Sequence, residues 1–139
     1  MSKKELNNEG KGSFKLPKHH ILRGRRNFDR LFSRSEFITT TSFTLRYTIF
    51  QNESPSYLVG FVAPKRIGNA VKRARAKRLM REAYRLNQDS TRSLFSTLEY
   101  SVHYLFIARI ALDDWKQVEQ DVVHALQQLC TQLPNSLTQ

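Results

Sequence analysis

Between Tyr57 and Arg85 the repeat of the chain changes from that of a strand to that of a helix, and the switch limits the folds open to it. Tyr57-Leu58-Val59-Gly60-Phe61-Val62-Ala63 is a short apolar run stopped by Pro64, the pattern of a buried strand. Gly68 can take the positive φ of a tight turn, and the Asn69 side chain can accept a bond from an early backbone N–H, which predicts a helix starting at Ala70. Within that helix Ala76, Leu79, Met80 and Ala83 follow i, i+3, i+4, i+7 and form one apolar stripe, with Leu86 close to it. The helix thus leaves a sheet through a short fixed turn and packs a single stripe against the core.

Its remaining surface is basic. Residues 65–85 hold nine Lys or Arg and one acid, Glu82. Arg73, Lys77 and Arg81 recur at i, i+4, i+8, flanked by Arg78 and Arg85, so the charge forms a ridge. Like charges at that spacing destabilise an isolated helix by roughly 0.2–0.5 kcal/mol per pair. A face built only for solubility mixes signs, whereas a polyanionic partner removes the cost. The net charge of +11 on 139 residues is unevenly placed: residues 1–64 carry 11 bases and 5 acids, residues 86–139 carry 3 and 6. The partner surface is therefore predicted within the first 85 residues, with a mildly acidic scaffold behind it.

Residues 1–16, rich in Lys, Asn, Gly and Ser, read as a disordered basic tail, followed by one domain over 17–131 and a short tail over 132–139. A helix over about 25–34 places Phe28, Leu31 and Phe32 on one face and Arg26, Arg30 and Arg34 on another. From Ser42 to Gln51, Phe43, Leu45, Tyr47 and Ile49 alternate with Thr44, Arg46 and Thr48. The first set is predicted to be core, and the second to face solvent or a polar partner rather than another apolar layer. Asn52 to Ser56 reads as a turn that would make this strand and the next an antiparallel hairpin. Residues 87–101 show no clear pattern, and Ser101–Arg109 reads as a further strand. Asp113 suits the N-cap of a final helix over about 114–131, with Trp115, Val118, Val122, Ala125, Leu126 and Leu129 as its stripe. The expected fold class is α+β, helices packed on a small, mostly antiparallel sheet.

Catalysis by the chain itself finds little support. Two-metal nucleases gather carboxylates, and of twelve acids only Asp113 and Asp114 are adjacent, where a helix cap accounts for them. His19 and His20 edge the basic tail, and His103 and His124 have no implied partner. Cys130, alone, reads as a small buried hydrophobe, and no metal-ligand spacing or phosphate loop is present. The polar first twenty residues lack a signal-peptide run and no later segment is long and apolar enough to span a bilayer, so a cytoplasmic location is expected. A strand, not a helix, precedes the basic helix, which disfavours a helix-turn-helix DNA reader, and no heptads follow it. A structural RNA-binding protein, such as a ribosome component, would share this composition.

The segment Lys65-Arg66-Ile67-Gly68-Asn69-Ala70-Val71, followed by Arg73-Ala74-Arg75 and Lys77-Arg78, resembles the signature of the bacterial ribonuclease P protein subunit. The resemblance extends to Phe28-Asp29-Arg30-Leu31-Phe32 upstream and Tyr104-Leu105-Phe106-Ile107-Ala108-Arg109 downstream, and covers roughly residues 17 to 130. It implies the order α-β-β-β-α-β-α, with a short strand near 36–39 and a left-handed crossover around the basic helix, where handedness rules alone would give a right-handed one. It implies a subunit of an endoribonuclease whose catalytic RNA, requiring Mg²⁺, removes the 5′ leader of precursor tRNA, with no catalytic residue and no metal in the protein. Lys65, Arg66, Arg73, Arg75 and Arg78 are similar to family positions at the ribozyme contact. Phe28, Phe32, Thr44, Arg46, Lys77 and Arg81 are similar to those at the leader groove. Two departures stand out: Ala74 replaces the asparagine of the family's Arg-Asn-Arg, and Arg46 stands where an aromatic is common.

Overall fold

A computed structural model describes residues 15–51 and 53–133. The tails expected at 1–16 and 132–139 thus lie largely outside the described residues. Helix α1 (Arg25–Ser33) precedes strands β1 (Glu36–Thr39), β2 (Phe43–Gln51) and β3 (Tyr57–Val62). The basic helix α2 (Ala70–Leu86), a short α3 (Asp89–Phe95), β4 (Tyr100–Ala108) and α4 (Trp115–Gln132) complete the order.

The sheet runs β1-β2-β4-β3, antiparallel except that β3 and β4 are parallel. The expected β2–β3 hairpin is therefore wrong, because β4 lies between the two strands. The reason is burial: Val102, Tyr104, Leu105, Phe106 and Ala108 of β4 are all fully buried, a two-sided apolar strand that needs a neighbour along each edge. Consecutive order and a short connection favour a hairpin, but the most apolar strand takes the centre. The β3–β4 connection through α2 and α3 is consequently a crossover, which a parallel pair requires.

Each face of the sheet has its own layer. Phe43, Leu45, Tyr47, Val59, Tyr104 and Phe106 share one face, covered by Ala76, Met80, Ala83 and Tyr84 of α2 and by Val118, Val122, Ala125, Leu126 and Leu129 of α4. Tyr84, outside the expected stripe, is fully buried and hydrogen-bonds the Tyr104 hydroxyl. Leu86, expected near the stripe, is 38% exposed. Burial drives the Tyr84 phenol well above its usual range, so this pair stays neutral. The cap of α4 is Asp114, one residue later than expected, accepting from the Gln117 N–H at 3.3 Å. The patternless segment contains α3, whose buried Phe95 packs on Tyr57 and Tyr104 with ring centroids 5.3 and 5.6 Å away.

The opposite face corrects a second expectation, since part of it is apolar. Leu31 of α1 packs with Leu22, Leu58 and Leu105, and Phe28 lies against them. Gly60 marks a close approach here: a Cβ would come within 2.8 Å of Leu105 Cδ1 and 3.3 Å of Leu22 Cβ, because the chain before α1 runs alongside β3, with the Leu22 N–H donating to the Val59 carbonyl at 2.7 Å. Only the β1–β2 side, with Phe37, Thr44, Arg46 and Thr48, leaves this face partly open. One short helix is too small to cover four strands, so an open cleft remains along β2.

Candidate nucleic-acid interface

The basic helix is set rigidly at its start. Asn69 Oδ1 accepts from the Lys72 N–H at 2.9 Å, and Gly68 adopts a φ of 147°. Arg73 Nε donates to the Gly68 carbonyl at 3.2 Å, so this half-buried arginine also braces the turn. Before it, Ile67 is buried while Lys65 and Arg66 stand exposed on a single 3-10 turn. Apolar anchorage on one side thereby fixes two cations on the other.

Arg75, Lys77, Arg78 and Arg81 are all exposed and make no hydrogen bond or ion pair among the described residues. Glu82, the acid of the segment, is held by Arg85 at 2.7 Å, and that hydrogen bond keeps its carboxyl below the usual range. The ridge is therefore uncompensated. By helical geometry it has two flanks. Lys72 and Arg75 line a groove of about 380 Å³ with Ala111, Leu112 and Asp113 ahead of α4. Lys77 and Arg81 lie on the flank of Tyr84, whose ring packs 5.9 Å from Phe61 of the edge strand β3. Ala74 is exposed between the flanks.

A second cluster occupies the cleft beside α1. The rings of Phe28 and Phe32 stack 6.5 Å apart; Phe28 is half-buried in the small core, while Phe32 is 43% exposed. Arg46 lies opposite Phe37 in the β1–β2 register, its guanidinium 4.4 Å from the Phe32 centroid and 4.7 Å from that of Phe37. Partial burial lowers the affinity of Arg46 for its proton. Thr44 projects from the same face of β2. Farther along, Arg30 sits 3.9 Å over the Phe50 ring and pairs with Glu53 at 2.6 Å, the hydrogen bond holding that carboxyl low. A groove of about 490 Å³ opens here between Arg30, Ser33, Arg34, Thr48, Phe50 and Gln51.

The structure thus brings Phe28, Phe32, Thr44 and Arg46 together. Lys77 and Arg81 belong to a helix on the other face of the sheet and do not touch them. Phe37, 57% exposed, was not anticipated as part of this cluster. Strand alternation could have found it: with Ile38 in the core, Phe37 must face outward beside Arg46. His103 is buried with Nδ1 making no hydrogen bond among the described residues, and burial pushes its pKa down to about 4. His20 Nδ1–H donates to the Tyr57 carbonyl at 2.8 Å, and the imidazole stacks on the Tyr57 ring. Cys130 is half-buried, its thiol pKa raised by burial. No group of three or more His, Cys, Asp or Glu among the described residues could hold a metal ion. None of the helices there is long and apolar enough to cross a membrane.

The family model for ribonuclease P matches residues 16–130. The chain belongs to the ribonuclease P protein family. Its members serve as the protein subunit of an endoribonuclease of tRNA processing, which associates it with the RNA of ribonuclease P. It is 32% identical over 124 residues to the ribonuclease P protein component of Syntrophus aciditrophicus, covering 89% of this chain and 95% of that one. The component of Listeria innocua is 28% identical over 125 residues, covering 87% and 98%. The ribonuclease P protein of Staphylococcus aureus superposes with a TM-score of 0.60 at 19% identity, covering 79% of this chain and 94% of that one. That of Thermotoga maritima gives 0.60 at 22% identity, covering 78% and 96%. The fold is therefore shared with solved ribonuclease P proteins.

Proposed function

We propose that the chain assists a catalytic RNA by two surfaces. Lys65, Arg66, Arg73, Arg75 and Arg78 grip the ribozyme, while the α1–β2 cleft, with Phe28, Phe32, Thr44 and Arg46, holds the single-stranded 5′ leader of precursor tRNA. Lys77 and Arg81, on the β3 flank of the ridge, carry leader phosphates toward that cleft. The observation supporting this most is that one small domain carries both an uncompensated basic ridge and, on the other face of its sheet, a cleft with exposed aromatic rings, the two elements that hold a single strand by phosphate and by stacking. Two RNAs repel each other, and a basic protein spanning both lowers that repulsion. The chemistry stays with the RNA and its Mg²⁺; the protein supplies no catalytic residue, and the complex works in the cytoplasm. Family membership disfavours the alternative of a ribosomal structural protein.

Cleavage of precursor tRNA at low Mg²⁺, with protein alone, bacterial ribonuclease P RNA alone and both together, tests the proposal. Activity is expected only with both. Cleavage by scrupulously RNA-free protein, or no help from the protein at any Mg²⁺ concentration, would overturn it.

A further inference from the structure

Arg46 is where the cleft departs from the family pattern, and its surroundings restrict what it can recognise. Nε donates to Ser35 Oγ at 3.0 Å, and a terminal nitrogen donates to the Phe32 carbonyl at 3.4 Å. A guanidinium has five N–H donors, so three remain unused among the described residues. Those two bonds, with the rings of Phe32 and Phe37 at 4.4 and 4.7 Å, fix the direction of the fork. Phe32 and Phe37 are 43% and 57% exposed, so each keeps ring surface open. No carboxylate pairs with Arg46 among the described residues, leaving its charge for a ligand.

A base stacked on either ring brings its edge beside those donors. Guanine presents N7 and O6 as adjacent acceptors, which a guanidinium meets with two parallel N–H bonds; adenine places an amino donor where O6 would be. Uracil has an N–H between its carbonyls. Cytosine offers two neighbouring acceptors on a single ring, with less area to stack on the phenylalanines. We propose that Arg46, held across Phe32 and Phe37, selects guanine at one position of the bound leader. This rests on the leader reading above and goes beyond it, since stacking alone accepts any base.

The test uses the assembled ribonucleoprotein and precursor tRNAs carrying each of the four bases in turn at successive leader positions, with leaderless tRNA as reference. One position is expected where guanine binds about tenfold tighter than adenine or uracil, the discrimination typical of a good bidentate pair. Arg46→Lys keeps the charge and loses the fork, so the preference should shrink below about twofold; Arg46→Tyr should abolish it. Phe37→Leu should weaken all four leaders together. Melting curves establish which variants are folded, and either Arg46 variant suffices. A leader that strengthens binding without guanine preference, a cytosine preference, or a guanine preference surviving in a folded Arg46 variant would overturn the proposal. Equal binding of leader-bearing and leaderless tRNA would instead overturn the leader reading itself, and this inference with it.

Discussion

His103 should make this protein lose stability in mild acid, through one buried ring. It is 2% exposed on the cleft side of β4, its ring 4.6 Å from that of Phe50, over which the Arg30 guanidinium also lies at 3.9 Å. Burial first, and then the nearby Arg30 charge, lower its pKa from 6.5 to about 4, with Glu53 opposing. The native state thus holds the ring neutral where an unfolded chain would protonate it. Stability is fully present above pH 6.5 and is lost as pH falls from there toward about 4. At about 1.36 kcal/mol per pH unit, the whole loss is about 3 kcal/mol, with nearly half of it gone by pH 5.5 and most of it by pH 4.5.

Urea unfolding of the parent and of His103→Leu at about pH 7, 5.5 and 4.5 isolates the effect, because leucine fills a similar volume and cannot titrate. Near pH 7 the two should differ little, since the change also removes an unpaired buried nitrogen. By pH 4.5 the variant should be ahead by about 2 kcal/mol more than at pH 7. His20, whose pKa burial also lowers, is common to both proteins and cancels in the difference. A stability difference that stays constant from pH 7 to 4.5 would refute the reasoning and show His103 charging without cost.

Asn69→Ala removes the cap of α2 and should lower stability by about 1 kcal/mol, recovered largely by Asn69→Asp, as read from denaturant midpoints. Phe32→Leu should cost leader-dependent affinity, up to about 1–3 kcal/mol for one stacked base, whereas Phe28→Leu should chiefly cost stability, about 1 kcal/mol. Paired melting and binding curves with leader-bearing and leaderless tRNA separate the two effects, and identical behaviour of both variants would show the exposure difference to be irrelevant. Reversing Arg75 and Arg78 to Glu should weaken assembly with the ribozyme, while reversing Lys77 and Arg81 should chiefly erode discrimination between precursor and mature tRNA. Equal loss of ribozyme affinity in both, with leader discrimination intact, would reject the two-flank division of the ridge.

Local periodicity made most elements legible. The turn at Gly68, the cap at Asn69 and the start of α2 at Ala70 are local features, and the structure has them as expected. Strand pairing is not local. Nothing in residues 42–63 says that a strand 40 positions later inserts between them; the clue is that Tyr100–Ala108 is buried along nearly its whole length, which requires two neighbours. Tyr84 escaped the stripe for a related reason. An aromatic beside a basic ridge reads as surface until Tyr104 and Phe61 are placed over it from a sheet whose order was unknown.

The cleft divided in the same way. Spacing set Phe28, Leu31 and Phe32 on one helical face without saying which ring faces inward. The structure answers through the small second core: Leu31 is fully buried, Phe28 lies against Leu22 and Leu105, and Phe32, a turn farther on, reaches past the covered strands. There it meets Arg46, whose apparent isolation among threonines came from viewing one strand alone. Across the β1–β2 register stands Phe37, and Ser35 anchors the guanidinium from the connection between α1 and β1. A long cation with hydrogen bonds on one side and aromatic rings beside it loses freedom before any RNA arrives, so less ordering entropy opposes binding. Such preorganisation would let an arginine at this position discriminate among bases, where a mobile one would add only charge.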